Sequence, residues 1–325
     1  MTTYAGRRVL VAGGLGFIGA HLTARLCAAD ADVTVVTQSL AAHQEDVARF
    51  SIANVRLVEA DVRDASAIAD AVAGQEVVFS LAGRSGAVRS MDDPAADLDV
   101  NCRGALVLLE ALRINSPSAR LVFASSRLAY GKGGDAPIDE EQRPDPLCLH
   151  AVHKLAVEQY LRIYGRTYGL QYSIARLTNP YGPGQPGDRT AYGVVNHLIH
   201  LALAAQPLPI YGDGSQLRDY IYVDDAVDAL LRLGLAPGAL GRTYNVGSGV
   251  GTPMVAMARA ITEITGTGTI QFVPWPAMAA LVETGDFVAN TGRIRRELGW
   301  MPAIGLHDGL MRTVAFYRSP MASAR

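Results

Sequence analysis

Cysteine, net charge and long apolar runs are all scarce in this sequence, and each scarcity excludes a class of protein. Only three cysteines stand among the 325 residues, Cys27, Cys102 and Cys148, and they lack the spacing of metal ligands. An odd number of scattered cysteines does not suggest a disulfide framework, and we predict no metal site. No signal-peptide hydrophobic region precedes the first apolar run, so we expect a cytoplasmic protein.

The charges are nearly balanced, with 29 basic and 31 acidic residues and a net charge of −2. Because there is also no long basic run, neither nucleic acid nor an anionic membrane surface is expected as the main partner. No apolar stretch reaches the roughly 18 residues that a membrane span needs. Apolar residues are nevertheless plentiful, at 49%, which is enough to bury the core of one large or two moderate domains.

A glycine-rich turn follows the first apolar run and opens an amphipathic segment. Its glycines stand at Gly13, Gly16 and Gly19. In a strand–turn–helix unit, the first glycine permits the tight turn, the second lets backbone approach a pyrophosphate, and the third lets the helix pack closely. The N–H groups at Phe17 and Ile18 would then face phosphate oxygens. The sequence predicts a dinucleotide-binding turn; the alternative is a turn that serves packing only.

Apolar runs of β type alternate with helical segments along the first half of the chain. The predicted strands are Val9–Ala12, Val33–Val36, Val55–Val58, Val77–Leu81, Leu121–Ala124 and Tyr172–Arg176. The predicted helices lie near 18–29, 64–73, 95–115 and 150–168. Continuous apolar strands that alternate with helices indicate a doubly wound parallel sheet covered on both faces. Ligands of such sheets bind beyond the carboxyl ends of the strands.

Residues that follow the strands are therefore the candidates for cofactor binding. After the second strand, Thr37 stands where an acidic residue usually binds the ribose of NAD. Beyond Thr37, the first acidic residue is Glu45 and the first arginine is Arg49. The choice between NAD and NADP is therefore left open. Asp61 after the third strand either meets the adenine or caps the next helix. The remaining candidates are Val62, Leu81, Ala82 and Gly83.

Several motifs carry a resemblance to a known family. They are GGLGFIG at 13–19, NCRGALVLLEAL at 101–112, SSRLAYG at 125–131, HAVHKLAVEQY at 150–160, ARLTNPYGPGQ at 175–185, PIYGDGSQLRDYIYVDDAVDAL at 209–230, TYNVGSG at 243–249 and ELGWMP at 297–302. The sequence resembles the extended short-chain dehydrogenase/reductases, the NAD-dependent epimerases and dehydratases of nucleotide sugars. The resemblance implies a tightly held NAD, or NADP, and a nucleoside-diphosphate sugar as substrate.

The resemblance also implies a Rossmann-type sheet with a smaller, mostly C-terminal, substrate-binding α/β domain. We place the NAD(P)-binding domain at residues 1–178, with a returning segment at about 220–248. The nucleotide-sugar-binding domain is then 179–219 plus 249–325.

In the family, a tyrosine takes a proton from a sugar hydroxyl, a lysine four residues later lowers its pKa, and a serine or threonine binds the same oxygen. The resemblance gives the role of the lysine, which also holds the cofactor, to Lys154 and the role of the serine to Ser126. The position of the tyrosine is occupied by His150. Histidine is largely a neutral base at pH 7. Three interpretations remain open: His150 is the acid/base; it only binds while Cys148, His153 or a less redox-demanding reaction takes over; or catalysis is lost.

The family's dehydratases usually have Asp-Glu after the catalytic hydroxyl residue, where this chain has Arg127 and Leu128. A 4,6-dehydratase is therefore disfavoured, and we predict an epimerase that oxidises the sugar transiently, at C4. The alternatives are a dehydratase, decarboxylase or ketoreductase of the family, or a catalytically silent binding protein. We assign six residues to the substrate: Ser85, Ser126, Arg127, Asn179, Tyr211 and Arg218.

For two of these six, a structural interpretation competes. Asn179 resembles the asparagine that touches the sugar diphosphate, but it also precedes Pro180, as a turn residue would. Arg218 resembles the arginine that grips the diphosphate, for which a bidentate fork is suited, but it could instead form a surface ion pair with Asp219.

Segments 95–115 and 150–168 each carry an apolar face. The faces are formed by Leu98, Cys102, Leu106 and Leu109 and by Leu155, Leu161 and Tyr164. In the family, these two helices often pair across a two-fold axis, so we expect a homodimer; packing within one chain is the alternative.

Overall fold

A seven-stranded parallel sheet forms the centre of the protein. The computed structural model describes residues 3–50, 52, 54–134, 137–185 and 193–319, except for the side chains of 45 and 46. The strands are β1 (Arg8–Ala12), β2 (Asp32–Thr37), β3 (Arg56–Glu59), β4 (Val77–Ser80), β5 (Arg120–Ser126), β6 (Gln171–Leu177), β7 (Asn179–Tyr181), β8 (Pro207–Tyr211), β9 (Leu217–Tyr222), β10 (Arg242–Val246), β11 (Gly251–Pro253) and β12 (Thr269–Val273). The order in the main sheet is β10-β6-β5-β4-β1-β2-β3, and every neighbouring pair is parallel.

Helices cover both faces of this sheet. The α-helices are α1 (Phe17–Ala28), α2 (Gln44–Arg49), α3 (Ala65–Val72), α4 (Ala87–Asp92), α5 (Pro94–Leu98), α6 (Gly104–Asn115), α7 (Leu149–Tyr168), α8 (Val194–Leu203), α9 (Val223–Leu235), α10 (Met254–Thr265), α11 (Ala277–Leu281), α12 (Gly292–Leu298) and α13 (Leu306–Arg318). The predicted doubly wound parallel sheet is confirmed. Among the described helices, none is both long enough and apolar enough to cross a membrane.

Alternate residues of β1 belong to two different cores, one on each face of the sheet. Val9 and Val11 pack with the apolar residues of α1 and α9, whereas Leu10 packs with those of α3, α6 and α7. Successive side chains of a strand point to opposite faces, so a strand buried on both faces must be apolar throughout. This explains why the strands read as continuous apolar runs in the sequence.

A separate core lies in the C-terminal part of the chain. Two small sheets, β11-β9-β7 and β12-β8, contribute to it together with α8, α10 and α13. Strand β10 instead returns to the main sheet and pairs with β6, and α9 packs on that sheet. The domain limits at 178, 219 and 249 stay predictions.

One π-helical turn, Asp99–Arg103, joins α5 to α6. Turns of this kind widen the helix locally and often occur at functional sites. Here the turn carries Asn101 and Cys102, both of them buried. Cys102, together with Leu109 and Leu161, packs within the chain's own core, so packing within one chain accounts for these three residues of the predicted dimer face.

Candidate active site

The glycine turn between β1 and α1 is held by close backbone contacts. Gly13 has a φ of +81°, and a Cβ there would lie 2.7 Å from the Ala82 nitrogen. A Cβ at Gly19 would lie 2.0 Å from the Gly13 oxygen, whereas one at Gly16 would meet that oxygen at an ordinary 3.4 Å. Packing therefore requires glycine at 13 and 19 but not at 16, where the absent side chain leaves room for a ligand.

Helix α1 begins without a side-chain cap. Gly16 stands at the cap position and, having no side chain, makes no capping hydrogen bond to the first turn of the helix. The first N–H groups of a helix have no partner inside it, and the helix dipole favours negative charge at this end. The uncapped first turn, which begins at Phe17 and Ile18, is therefore compatible with phosphate binding, and the cofactor roles of these two residues stay predictions.

Asp61 lies just beyond β3 and is held by Arg63. The guanidinium donates to both carboxylate oxygens at 2.8 and 2.7 Å, and this interaction lowers the pKa of Asp61 to about 2. Helix α3 is capped instead by Asp64, whose carboxylate accepts from the Ser66 and Ala67 N–H groups at 3.1 Å. The interpretation of Asp61 as a helix cap is therefore wrong, and its position at the end of β3 stays a cofactor prediction.

A small internal cavity lies at the carboxyl ends of the central strands. Among its lining residues are Ala12, Val62, Ala82, Asn101, Phe123 and Lys154. A Cβ at Gly83 would approach Asn101 Oδ1 to 2.5 Å and Lys154 Nζ to 3.6 Å. The structure thus brings Val62, Ala82, Gly83 and Lys154 together, although sequence separates them by up to 92 positions (154 − 62). Leu81 is the residue before Ala82 in the chain, and Thr37 is buried at the end of β2.

Lys154 is a buried cation on α7. Its ammonium donates a hydrogen bond to the Ala124 carbonyl at 2.9 Å and lies 4.9 Å from the centre of the Phe123 ring. Burial lowers its pKa to about 8. These contacts fix the ammonium beside β5, and the catalytic and cofactor roles of Lys154 stay predictions.

His150 lies one helical turn before Lys154 and is 5% exposed. Burial, followed by the nearby Lys154 charge, lowers the pKa of the imidazole to about 4. The ring is therefore neutral at pH 7 and able to accept a proton. Within the described part of the chain, its Nδ1 has no hydrogen-bond partner, and the nearest acidic oxygen is Asp97 Oδ2 at 3.9 Å.

The hydroxyl groups near this corner have different roles. Ser126 Oγ accepts a hydrogen bond from the Leu128 N–H at 3.2 Å, and no hydrogen bond joins it to His150 within the described residues. Tyr130 is buried and donates its hydroxyl hydrogen to Asn245 Oδ1 at 2.7 Å. This phenol is already engaged, so it does not substitute for the tyrosine that is missing at 150.

Arg127 and Asn179 meet at the ends of β5 and β7. The Arg127 guanidinium donates to Asn179 Oδ1 at 3.4 Å and to Thr284 Oγ1 at 2.9 Å. Burial, with a further contribution from the Arg218 charge, lowers the pKa of Arg127 to about 10. Asn179 in turn donates to the carbonyl of Asp219, the residue after Arg218, at 2.8 Å. Arg127, Asn179 and Arg218, three predicted substrate residues, therefore share one cluster.

Arg218 is paired with Glu283, which the sequence did not single out. Its guanidinium contacts the Glu283 carboxylate and donates to the Gly285 carbonyl at 2.8 Å. Asp219 is buried and accepts from backbone N–H groups, including that of Ser248 at 2.7 Å. The alternative of a surface ion pair between Arg218 and Asp219 is therefore wrong.

The two outlying substrate predictions lie on the surface. Tyr211 ends β8, is 36% exposed, and has its ring centre 5.2 Å from that of Trp275. Ser85 is exposed in the loop after β4. No contact in the described chain joins either residue to His150 or Lys154, and their roles stay predictions.

Comparison with known proteins identifies the family. The model of the NAD dependent epimerase/dehydratase family matches residues 9–247. The chain belongs to this family. The glycine turn, the uncapped start of α1 and the opening at Gly83 beside Lys154 fit its cofactor, NAD.

Relatives of known name cover almost the whole chain. A UDP-glucose 4-epimerase of Mycolicibacterium smegmatis is 35% identical over 96% of this chain and 99% of its own length. A dTDP-glucose 4,6-dehydratase of Streptomyces niveus is 29% identical over 97% and 94%. The chain is thus an NAD-dependent enzyme of the nucleotide-sugar epimerase/dehydratase class.

Solved structures agree with this assignment. The UDP-glucose 4-epimerase of Thermotoga maritima with UDP-glucose superposes with a TM-score of 0.87 at 30% identity, over 96% of this chain and 98% of that one. The Thermus thermophilus UDP-glucose 4-epimerase in complex with NAD gives 0.87 at 31%, over 96% and 99%. These similarities support the predicted cofactor and fold.

Sequence reasoning missed the buried carboxylate nearest to the candidate base. Asp97, in α5, is 1% exposed; its Oδ1 lies 2.6 Å from His153 Nδ1 and accepts from Asn101 Nδ2 at 2.9 Å. The sequence does show that Asp97 and Asn101 are four residues apart, so that they lie on one side of a helix. It does not show that this side faces α7.

Proposed function

We propose that this enzyme is a nucleoside-diphosphate-sugar 4-epimerase in which His150 replaces the family's catalytic tyrosine. The observation that carries the proposal is a buried, neutral imidazole one helical turn from a buried lysine, at the carboxyl ends of the strands. A general base must lie within reach of the proton and have a suitable protonation state. His150 is unprotonated at pH 7, as a base must be, although burial makes it a weaker base than free imidazole, and its place on α7 supports the first condition.

The proposed roles follow from the contacts. His150 accepts the proton of the sugar hydroxyl, and Ser126 donates a hydrogen bond to the same oxygen. Lys154 keeps a positive charge beside them. NAD, when bound, supplies the acceptor for the hydride from the sugar carbon. The imidazolium of His150 then returns its proton when the keto-sugar is reduced on its opposite face.

The epimerase reaction is favoured over dehydration by the residue beside Ser126. Arg127 stands where the resemblance places an acid of the dehydratases, and its guanidinium is tied to Asn179 and Thr284. A cation in this position does not protonate a leaving hydroxyl. The relatives that are UDP-glucose 4-epimerases support the same choice.

The diphosphate of the substrate is assigned to the cluster of Arg127, Asn179 and Arg218. Arg127 and Arg218 bring two buried guanidinium groups to this cluster, the second of them paired with Glu283, and arginine matches phosphate oxygens with paired hydrogen bonds. Tyr211 is assigned to the nucleobase, since its exposed ring offers a stacking surface. We infer a UDP-sugar, in line with the Thermotoga maritima structure that contains UDP-glucose.

The test is conversion of a panel of UDP- and dTDP-hexoses by the purified protein, with products resolved by proton NMR. We expect a UDP-hexose to interconvert with its 4-epimer, with no net reduction of NAD. A 4-keto-6-deoxy product, or release of carbon dioxide, would replace the epimerase with a lyase. Tight binding without any conversion would support the catalytically silent protein.

We also propose a homodimer through α5 and α7. Leu98, Val152 and Ile163 are apolar and between 41% and 50% exposed, and the last two lie on the same face of α7. Sedimentation of the wild type and of Ile163→Glu tests this proposal. We expect the wild type to sediment as a dimer and Ile163→Glu as a monomer, and equal masses for the two would contradict the proposal. A cytoplasmic location is proposed because three scattered cysteines, an odd number, do not suggest a disulfide framework.

A further inference from the structure

Asp97 lies between the two histidines of α7. Its Oδ1 is 2.6 Å from His153 Nδ1, and its Oδ2 is 3.9 Å from His150 Nδ1. The carboxylate is almost fully buried, at 1% exposure. An ionised carboxylate taken out of water needs donors or positive charge nearby. The two imidazoles and the Asn101 amide are the groups that surround it at these distances.

The position of Asp97 is fixed from the side opposite α7. Asn101 Nδ2 donates to Asp97 Oδ1 at 2.9 Å and to the Arg84 carbonyl at 3.1 Å, while Asn101 Oδ1 accepts from the Arg84 N–H at 3.2 Å. Asn101 sits on the π-helical turn, so this turn and the loop after β4 together orient the carboxylate. The arrangement holds Asp97 Oδ2 toward His150.

Proton accounting then favours one tautomer of His150. His153 Nδ1 must carry a hydrogen to donate to ionised Asp97, which occupies Oδ1. His150 Nδ1 is buried, has no hydrogen-bond partner among the described residues and faces Oδ2. A hydrogen on this nitrogen gains the attraction of the carboxylate, while a lone pair there is repelled. Nε2 is then the nitrogen that carries the lone pair, and the Arg84 backbone, which raises the pKa of the ring against the larger effect of burial, also lies beside the imidazole.

A purely structural role explains only part of this arrangement. The contact of Asp97 with His153 ties α5 to α7, and it would do so whatever stood at 150. It does not explain why a second imidazole, unpartnered at its nearer nitrogen, is buried beside the other carboxylate oxygen. In a histidine base, the residue behind the ring sets which nitrogen carries the proton.

We propose that Asp97 is a positioning residue for His150, which keeps the ring proton on Nδ1 and leaves Nε2 as the base, and that His153 holds Asp97 in place. The proposal rests on the function proposed above. In that reaction the O–H and C–H bonds of the sugar break and a C=O bond forms. The proton moves to His150 Nε2, the hydride goes to NAD, and Asp97 stabilises the resulting imidazolium without taking its proton.

The direct test is the tautomer of His150 in the holoenzyme, read by ¹⁵N NMR of histidine-labelled protein. His150→Gln assigns the signal. We expect the wild-type ring to be protonated at Nδ1 near neutral pH. A wild-type ring protonated at Nε2 would overturn the proposal, whether or not any variant folds.

The second test separates kcat from KM in Asp97→Asn, which preserves shape and removes charge. We expect kcat to fall by on the order of 10²-fold or more, as expected when the carboxylate behind a histidine base becomes an amide, with KM changed by less than about threefold. Asp92→Asn, the same change at an exposed position of α4, should keep wild-type kcat. His153→Gln should lower kcat less than Asp97→Asn does.

The outcomes distinguish the two proposals. Unchanged kcat and tautomer in Asp97→Asn, together with an inactive His150→Gln, would overturn the role of Asp97 and leave the proposed function standing. Full turnover in His150→Gln would overturn the proposed function itself.

Discussion

The two proposed sites, the glycine turn at 13–19 and the corner formed by His150 and Lys154 on α7, are built by opposite means. In the turn, Gly13, Gly16 and Gly19 expose backbone, and the proposed recognition elements are N–H groups that every residue except proline possesses. At the corner, the proposed roles of His150 and Lys154 depend on side chains whose protonation is set by burial and by residues distant in sequence. A site made of backbone is specified by local spacing, whereas a site made of buried side chains is specified by tertiary contacts.

The largest expected effect separates packing from ligand approach inside the turn. Gly19→Ala would place a Cβ 2.0 Å from the Gly13 oxygen, so we expect a loss of about 3 kcal/mol or more in the free energy of unfolding. NAD binding should be lost with it. Gly16→Val should leave the melting temperature nearly unchanged but abolish NAD binding. Calorimetry and NAD titration measure both, and normal NAD affinity in Gly16→Val would contradict the assignment of the turn.

The next prediction concerns the pH dependence of stability. The glycine turn has no titratable side chain, whereas the corner on α7 has His150. Burial lowers the pKa of His150 from 6.5 to about 4. Between these values the unfolded chain binds more protons than the folded one, so stability rises with pH and is lost on acidification. The His150 contribution should approach 1.4 kcal/mol per pH unit in this window. Denaturant unfolding of wild type and His150→Gln at several pH values measures it; parallel curves would show that folding does not lower the pKa of this imidazole.

The third prediction concerns the ion pair of Arg218 with Glu283. Glu283→Gln removes the negative charge that competes with a diphosphate for this guanidinium. We expect nucleotide-sugar affinity to rise by about tenfold, equivalent to 1.4 kcal/mol, and stability without ligand to fall. Isothermal titration and thermal unfolding test the two halves. Weaker binding in this variant would show that Glu283 contacts the substrate itself. Glu263→Gln, on the outer part of α10, is the control.

The smallest expected effect distinguishes Asp61 from Asp64. Asp64→Ala removes the cap of α3 and should lower stability without altering NAD affinity. Asp61→Ala should weaken NAD binding and leave stability closer to wild type. The reverse pattern, in unfolding and NAD titration, would return the capping role to Asp61.

The sequence was sufficient for the parallel sheet and for the glycine turn, because strand burial and glycine spacing are local patterns. It was not sufficient for the partners of the side chains. Asp97 meets His153 across 56 positions, and Glu283 meets Arg218 across 65. Such pairs depend on how α5 packs on α7, and on how strand β9 meets the segment after α11. The same reason explains why the alternative interpretation, a surface ion pair of Arg218 with Asp219, is wrong.

The central claim is that the imidazole at 150 does the work of the missing phenol. The most direct measurement compares turnover and ligand affinity in His150→Ala with those of the wild type, using the UDP-hexose that the wild type converts. We predict that kcat falls by on the order of 10²–10⁴-fold while the Kd of the nucleotide sugar changes by less than about threefold. A variant that turns over as fast as the wild type would contradict the account.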